Sequence, residues 1–383
     1  MLKTARYGTM NLLILLWIAS VLAGGLWSWA VYVGTALLTT VGDEHSGDDL
    51  KVLGPGGQAF YNANLHATLP LIALGLFVTL GHVGQPVTGI IDHAAIWGVF
   101  GLDHAASRAA TGPWSLAGML VAGGLFFGGA GINVSHELMH RTGNRLAWLQ
   151  SRWLLAFSFD TTFAIEHIHG HHRHVCTERD PATARRGEYV LAFVLRSTCG
   201  QFVNAFAIER ARLARKGLAV WSIHNLALRG QLMSLAIAAV AFVLAGWPGV
   251  AVFVILALQG KTYLELVNYV EHYGLVRAPG SRVEPRHAWN CYNVISNAVL
   301  YNLPRHSNHH MFASKPFWAL EADMDAPLLP YGYKTMIVLS LVPPLWKRVV
   351  EPRVADWDKR FASDEERRIL ASRQQSRMPA PAE

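Results

Sequence analysis

Four short clusters hold eleven of the chain's 18 histidines, nine of them counted as candidate ligands, and imidazole nitrogen is a common transition-metal ligand. The first cluster is His136-Glu137-Leu138-Met139-His140. Its histidines, at i and i+4, share one face of a helix and can hold one ion. The second, Glu166-His167-Ile168-His169-Gly170-His171-His172-Arg173-His174, offers another i, i+4 pair in His167 and His171, with His172 beside it. A solvated basic loop rarely needs five histidines in eight positions. The third, Asn268-Tyr269-Val270-Glu271-His272-Tyr273-Gly274-Leu275, holds only His272, and a lone histidine is more often structural than a ligand. The fourth, Arg305-His306-Ser307-Asn308-His309-His310, sets His306, His309 and His310 at i, i+3 and i+4 on one face.

Structural zinc takes four ligands and catalytic zinc three plus water, so nine imidazoles imply two ions. The three cysteines, Cys176, Cys199 and Cys291, form no C-x-x-C, and their odd number argues against a disulfide framework. With neutral nitrogen donors and no thiolates, iron is favoured over zinc or copper. Imidazole-bound ferrous iron with open positions suits oxygen activation. Each cluster also carries a polar neighbour, Glu137, Glu166, Glu271 or Asn308, able to accept the second ring N–H and fix the tautomer. The first cluster matches H-E-x-x-H as well, in which Glu137 would be the general base of a zinc protease. That reading leaves seven histidines idle.

The elements that must position these clusters are apolar. The 383 residues are 52% hydrophobic and 15% charged, whereas a soluble domain carries about 25% charged residues. A bilayer crossing needs roughly 20 apolar residues. Residues 7–41 are read as a helical hairpin about Gly24-Gly25, followed by spans at 65–81 and 114–134. Two more, at 231–246 and 250–269, are separated by the turn signal Gly246-Trp247-Pro248-Gly249. The apolar pieces at 153–159, 189–206 and 336–345 are too short or interrupted and are expected to be interfacial or buried helices. No small-residue cleavage site follows a short apolar core, so the first segment is not read as a removed signal peptide.

Loop charge sets the orientation. Residues 83–113 contain one Lys or Arg, Arg108, while residues 135–230 contain thirteen. That side, with both termini and all four clusters, is expected to be cytoplasmic. The net charge of +7 is read the same way rather than as nucleic-acid binding. The expected organisation is four spans in 7–134, a cytoplasmic segment 135–230 with two clusters, two spans in 231–270, a second cytoplasmic segment 271–357, and a disordered tail 367–383.

The strings HELMHR (136–141), EHIHGHH (166–172), NYVEHYGL (268–275) and RHSNHH (305–310) together resemble, in order and spacing, the membrane di-iron hydroxylases of the alkane 1-monooxygenase type. The likeness extends to Arg179-Asp180-Pro181-Ala182 and His287-Ala288-Trp289-Asn290, and covers the chain from the first span to about residue 357. It implies an all-α integral membrane protein of about six transmembrane helices with a cytoplasmic, histidine-rich di-iron helical domain. The implied ligands are His136, His140, His167, His171, His172, His272, His306, His309 and His310, with Asp180 and His287 joining the polar partners. The implied co-substrate is O2, and the implied electron donor is a separate rubredoxin with its NAD(P)H-dependent reductase. A bacterial inner membrane is the expected location.

Three departures bear on the substrate. Asn308 stands where the family usually has Asp, Met311-Phe312-Ala313 replaces a small-polar-Pro run, and Pro316-Phe317-Trp318 is bulkier than usual. The stretches 287–290, 342–346 and 356–358 also resemble the hydroxylases of xylene methyl groups. The expected reaction is hydroxylation of the terminal methyl of an n-alkane to a primary alcohol. An alkyl-aromatic methyl of the xylene or cymene type is the alternative. A fatty-acyl desaturase would share the metal site but usually reads H-x-x-H-H at the second cluster, where this chain has H-x-x-x-H-H. A metal transporter would line its spans with histidine. No side-chain acid or base is assigned beyond the metal ligands. Trp27, Trp29 and Tyr32 are candidates for limiting substrate length, although interfacial anchoring or helix packing is the commoner role of such residues.

Overall fold

The computed structural model describes residues 2–87, 89 and 91–375. Apart from two isolated bridges, the described residues contain no strand. The chain opens into α1 (Thr9–Ala23), turns at Gly24-Gly25, and returns as α2 (Trp27–Leu37), extended by a π-helical turn Leu38–Gly42. Both glycines have positive φ, 71° and 58°, which a side chain resists. Residues 7–41 are therefore a hairpin, not one long helix. Next come α3 (Gln58–Gly81), two short helices α4 (His93–Gly98) and α5 (His104–Ala109), and α6 (Pro113–Phe126). α6 runs on through a π-helical stretch, Phe127–Ile132, into Asn133–Met139.

The histidine-rich end begins with α7 (Arg145–Ala156) and α8 (Phe163–Glu166), which continues as a π turn His167–His171 and His172–His174. Two long helices follow, α9 (Val190–Ala214) and α10 (Leu226–His272). The remaining elements are α11 (Val294–Val299), α12 (His306–Met311), α13 (Tyr333–Ser340), α14 (Pro343–Arg360) and α15 (Asp364–Gln375).

Five stretches among the described residues are long and apolar enough to cross a membrane: Lys3–Ala23, Pro55–Gly81, Pro113–Met139, Val190–Ala214 and Leu226–His272. Three differences from the sequence reading matter. The second hairpin arm is short of a full crossing. Residues 189–206, expected to be an interrupted piece, belong to the unbroken 25-residue α9. The fifth and sixth expected spans form one 47-residue element, α10, bent where Ala245 and Gly246 leave helical geometry. Pro248, lacking an N–H, follows the bend and starts the second arm. The expected tail also begins later: residues up to 375 lie in α15, and 376–383 are outside the described residues.

The bundle packs α1 against α2 and α3, and α6 against α2 and α10. Trp17 is fully buried in it, donating to the Met119 carbonyl at 3.3 Å. A buried polar tie fastens α9 and the turn that precedes α8 to α10. Lys261 Nζ on α10 lies 2.8 Å from Asp160 and 2.6 Å from Glu265, and Gln201 of α9 donates to Glu265 at 2.8 Å. Arg305, fully buried just before α12, donates to the carbonyls of Leu320, Asp49 and Lys51 at 2.6, 2.8 and 3.0 Å. It thereby docks α12 onto the loop that follows α2. Asn290 and Ser307 exchange two hydrogen bonds, 2.7 and 2.9 Å, which set the start of α12.

Candidate metal centre

The nine clustered histidines come together from four elements: the end of α6, the π turn of α8, the last residue of α10, and α12. They sort into two groups whose ligating atoms lie within 4.8 Å of one another. His136, His140, His167, His172 and His309 make the first; His171, His272, His306 and His310 make the second. The groups adjoin, with the His172 and His310 ring centroids 4.6 Å apart.

This sorting departs from the i, i+4 reading at two clusters. His167 pairs with His172, five residues on, and His171 joins the other group. The cause is the π turn, whose wider pitch brings i and i+5 onto one side. On α12, His306 and His310 serve the second group while His309 serves the first. One helix face thus feeds both groups.

The facing nitrogens fit metal ions. His136 and His167 Nε2 are 2.9 Å apart, His167 and His172 3.0 Å, and His172 and His309 3.2 Å. In the second group, His272–His306 and His306–His310 measure 3.1 and 3.0 Å. Two imidazole nitrogens about 2.1 Å from one ion, at a right angle, sit about 3.0 Å apart. His140 Nε2 and His171 Nε2 are buried with no hydrogen-bond partner, although buried polar groups are normally paired.

Electrostatics agree with a ligating role. Burial, then the nearby His171 charge, pulls His140 down to about 4. Burial and the neighbouring imidazoles hold His167, His172, His306, His309 and His310 well below their ordinary value. These rings are neutral at neutral pH, the form that binds metal. For His171 burial also opposes protonation, but the Asp180 charge and hydrogen bond outweigh it and raise the pKa.

The polar neighbours divide by what they touch. Asp180 Oδ2 accepts from His171 Nδ1 at 2.9 Å. Glu271 Oε2 lies 3.2 Å from His306 Nε2, while its Oε1 accepts from the Tyr333 hydroxyl at 2.6 Å. His287 presents its backbone carbonyl to His272 Nδ1 at 3.3 Å; its imidazole instead meets Glu366 of α15 at 2.7 Å. Glu166 accepts from Asn204 at 2.8 Å and touches no histidine ring by hydrogen bond. Glu137 pairs with Arg141 at 2.8 Å, one turn along, so it is not poised as a base. Asn308 Oδ1 accepts from the Glu321 amide at 3.2 Å and so braces a loop instead of a ligand.

Above the histidines lies a cavity of about 420 Å³. Gly128, Gly129 and Ile132 of α6, Phe163, Leu264 and Val267, and Leu300 and Leu303 supply apolar walls, while His136, His167, His306 and Glu271 close the polar end. None of the three aromatic candidates on α2 borders it. Trp27 is exposed, Trp29 donates to the Trp114 carbonyl at 2.7 Å, and Tyr32 lines a separate outer groove. The cavity walls carry no motif, so sequence reasoning missed them. It also missed Lys261 and Glu265, although a charged i, i+4 pair inside an apolar run was a signal.

A profile of the fatty acid desaturase family matches residues 111–340. Alkane 1-monooxygenase 1 of Pseudomonas aeruginosa is 39% identical over 269 residues, which are 69% of this chain and 68% of that protein. Alkane 1-monooxygenase of Ectopseudomonas oleovorans is 31% identical over 356 residues, 87% of this chain and 82% of that protein. The chain belongs to the alkane 1-monooxygenases of the fatty acid desaturase family. As an alkane 1-monooxygenase it is a membrane oxidoreductase, and its two histidine groups are compatible with a di-iron site. The hydroxylase component of xylene/toluene monooxygenase from Pseudomonas putida is also similar, 31% identical over 276 residues, 71% of this chain and 73% of that protein.

Proposed function

We propose that the protein hydroxylates the terminal methyl group of an n-alkane, using O2 and electrons from a rubredoxin and its NAD(P)H-dependent reductase. The observation that carries this reading is the apolar cavity ending on the two histidine groups. His136, His140, His167, His172 and His309 would hold one iron, and His171, His272, His306 and His310 the other. Bound iron would supply the one-electron chemistry needed to split O2 and attack an unactivated C–H bond.

The chain's own residues supply position and dryness. Asp180 and the His287 carbonyl orient His171 and His272 through their Nδ1 atoms. The leucines, Val267, Phe163 and the paired glycines exclude water and aim an apolar chain end-on at His136, His167 and His306. The Tyr333 hydroxyl donates to Glu271 Oε1 and so fixes that carboxyl group at the polar end of the cavity. A methyl-bearing aromatic ring is the second reading, favoured by the likeness to the xylene/toluene hydroxylase component.

The thirteen cationic residues in 135–230 support a cytoplasmic location for the clusters in a bacterial inner membrane. The segments 7–134 and 231–270 would then be the membrane part, and 135–230 with 271–357 the cytoplasmic part. The test is elemental analysis of anaerobically purified protein, together with product identification from cells given graded n-alkanes and p-xylene. Two irons per chain and primary alcohols are expected. Alkenes would identify a desaturase, and a single zinc with activity intact would overturn the reading.

A further inference from the structure

Beside the inner cavity runs a second space, an outer groove of about 700 Å³ on α2, α6 and α10. Tyr32, Val121, Leu125, Leu258 and Leu266 give it an apolar surface. Among the described residues, Tyr263 alone borders both spaces. Tyr263 therefore stands between a groove open to the outside and a cavity that ends on the histidines.

The ring is half-buried and packs against the core of the bundle. On the α6 side it faces Gly128 and Gly129. A Cβ on Gly128 would lie 2.6 Å from Tyr263 Cβ, and one on Gly129 would only just touch the ring at 3.5 Å. The glycines bring α10 close and present no side chain of their own to the phenol. Among the described residues, the Tyr263 hydroxyl has no hydrogen-bond partner. The one directed contact is from α13, where Lys334 Nζ stands 4.8 Å from the ring centroid, a cation–π geometry. Lys334 also lines the groove.

We propose that Tyr263 is the gate through which an apolar substrate passes from the outer groove into the cavity above the histidines, with Lys334 holding the ring shut. This rests on the hydroxylase reading for the substrate's chemistry. A substrate that dissolves in lipid reaches the groove sideways from the membrane, displaces the ring, and is shut in from water when the ring returns. The closed ring also sets a length limit. Removing the ring joins the two spaces.

The experiment measures binding of a tritiated long-chain n-alkane, the shortest in a graded series that wild-type protein binds weakly, to wild-type, Tyr263→Phe, Tyr263→Ala and Lys334→Met proteins. It uses metal-free protein, and chain-length product profiles are recorded on iron-loaded protein. Tyr263→Ala should bind the long alkane about 10-fold more tightly, since about two further methylenes become buried. Its product profile should shift to longer chains with iron content unchanged. Tyr263→Phe keeps the ring and should keep the wild-type profile. Lys334→Met should speed alkane association several-fold without extending the longest accepted chain, and this variant carries the test if Tyr263→Ala does not fold. Wild-type binding and profile in Tyr263→Ala, or unchanged association in Lys334→Met, would overturn the gate. Loss of the hydroxylase reading would look different: iron-loaded wild type would oxidise no alkane or alkyl-aromatic, while the binding comparison would still report on the gate.

Discussion

Asp180 gives the sharpest test of how the second histidine group is tuned. Both of its oxygens are acceptors: Oδ2 takes His171 Nδ1 at 2.9 Å and the Thr183 hydroxyl at 2.6 Å, and Oδ1 takes the Ala182 amide at 3.0 Å. Asp180→Asn keeps the shape but turns one of those oxygens into an NH2. Either flip sets a donor against a buried donor, at a cost of about 1–3 kcal/mol. That matches the 10- to 100-fold loss of metal affinity seen when the partner of a ligating histidine is removed. Because Asp180 reaches only His171, the loss should fall on the second group alone. The assay is anaerobic Fe(II) titration of metal-free protein by equilibrium dialysis. Wild type should bind two ions, and the variant should bind one with wild-type affinity and the other about 10- to 100-fold more weakly. Glu137→Gln is the control: its carboxylate engages Arg141 and no histidine, so both affinities should stay within about threefold. If Asp180→Asn leaves both ions unchanged, or weakens both equally, the division into two groups is wrong.

Three further outcomes are expected. Lys261→Met strands the buried Asp160 and Glu265 carboxylates without their cation and should destabilise the fold by about 3–5 kcal/mol, read as a lower unfolding temperature in detergent. Acid should weaken the metal-free protein. The folded chain keeps His140 neutral down to about pH 4, whereas the unfolded chain takes up a proton near 6.5. Stability contributed by this group is therefore intact above about pH 6.5 and falls as pH drops toward 4; a melting temperature flat across that window would refute it. Finally, donor affinity should drop as salt rises, since screening shortens from about 10 Å at 0.1 M to about 3 Å at 1 M. Arg186 and Arg212 are already engaged by Asp358 and Glu209, so charge reversal at exposed Arg173, next to the half-buried His172, should mimic high salt more than changes at either of those. Alcohol formation against rubredoxin concentration at two ionic strengths measures this, and salt-independent affinity would exclude steering.

The all-helical class, the apolar hairpin and the histidine positions were legible because each depends on local chemistry. Long apolar runs cannot satisfy their backbone in lipid except as helices. Gly24-Gly25 is a turn in any context that needs positive φ, and nine clustered imidazoles advertise a metal wherever the chain puts them. How those imidazoles divide was not legible. That depended on a π turn at His167–His171, and one residue of extra pitch exchanges which ring faces which group. Nor did spacing reveal that Glu137 turns toward Arg141, that Asn308 braces a loop, or that His287 works through its carbonyl. A side chain's role is decided by what the fold brings beside it. The cavity and its Tyr263 partition come from helices α6, α8 and α10 and the segment around Leu300, far apart in the chain. Their residues are ordinary glycines, leucines and one tyrosine, so only tertiary packing could turn them into a path to the histidines.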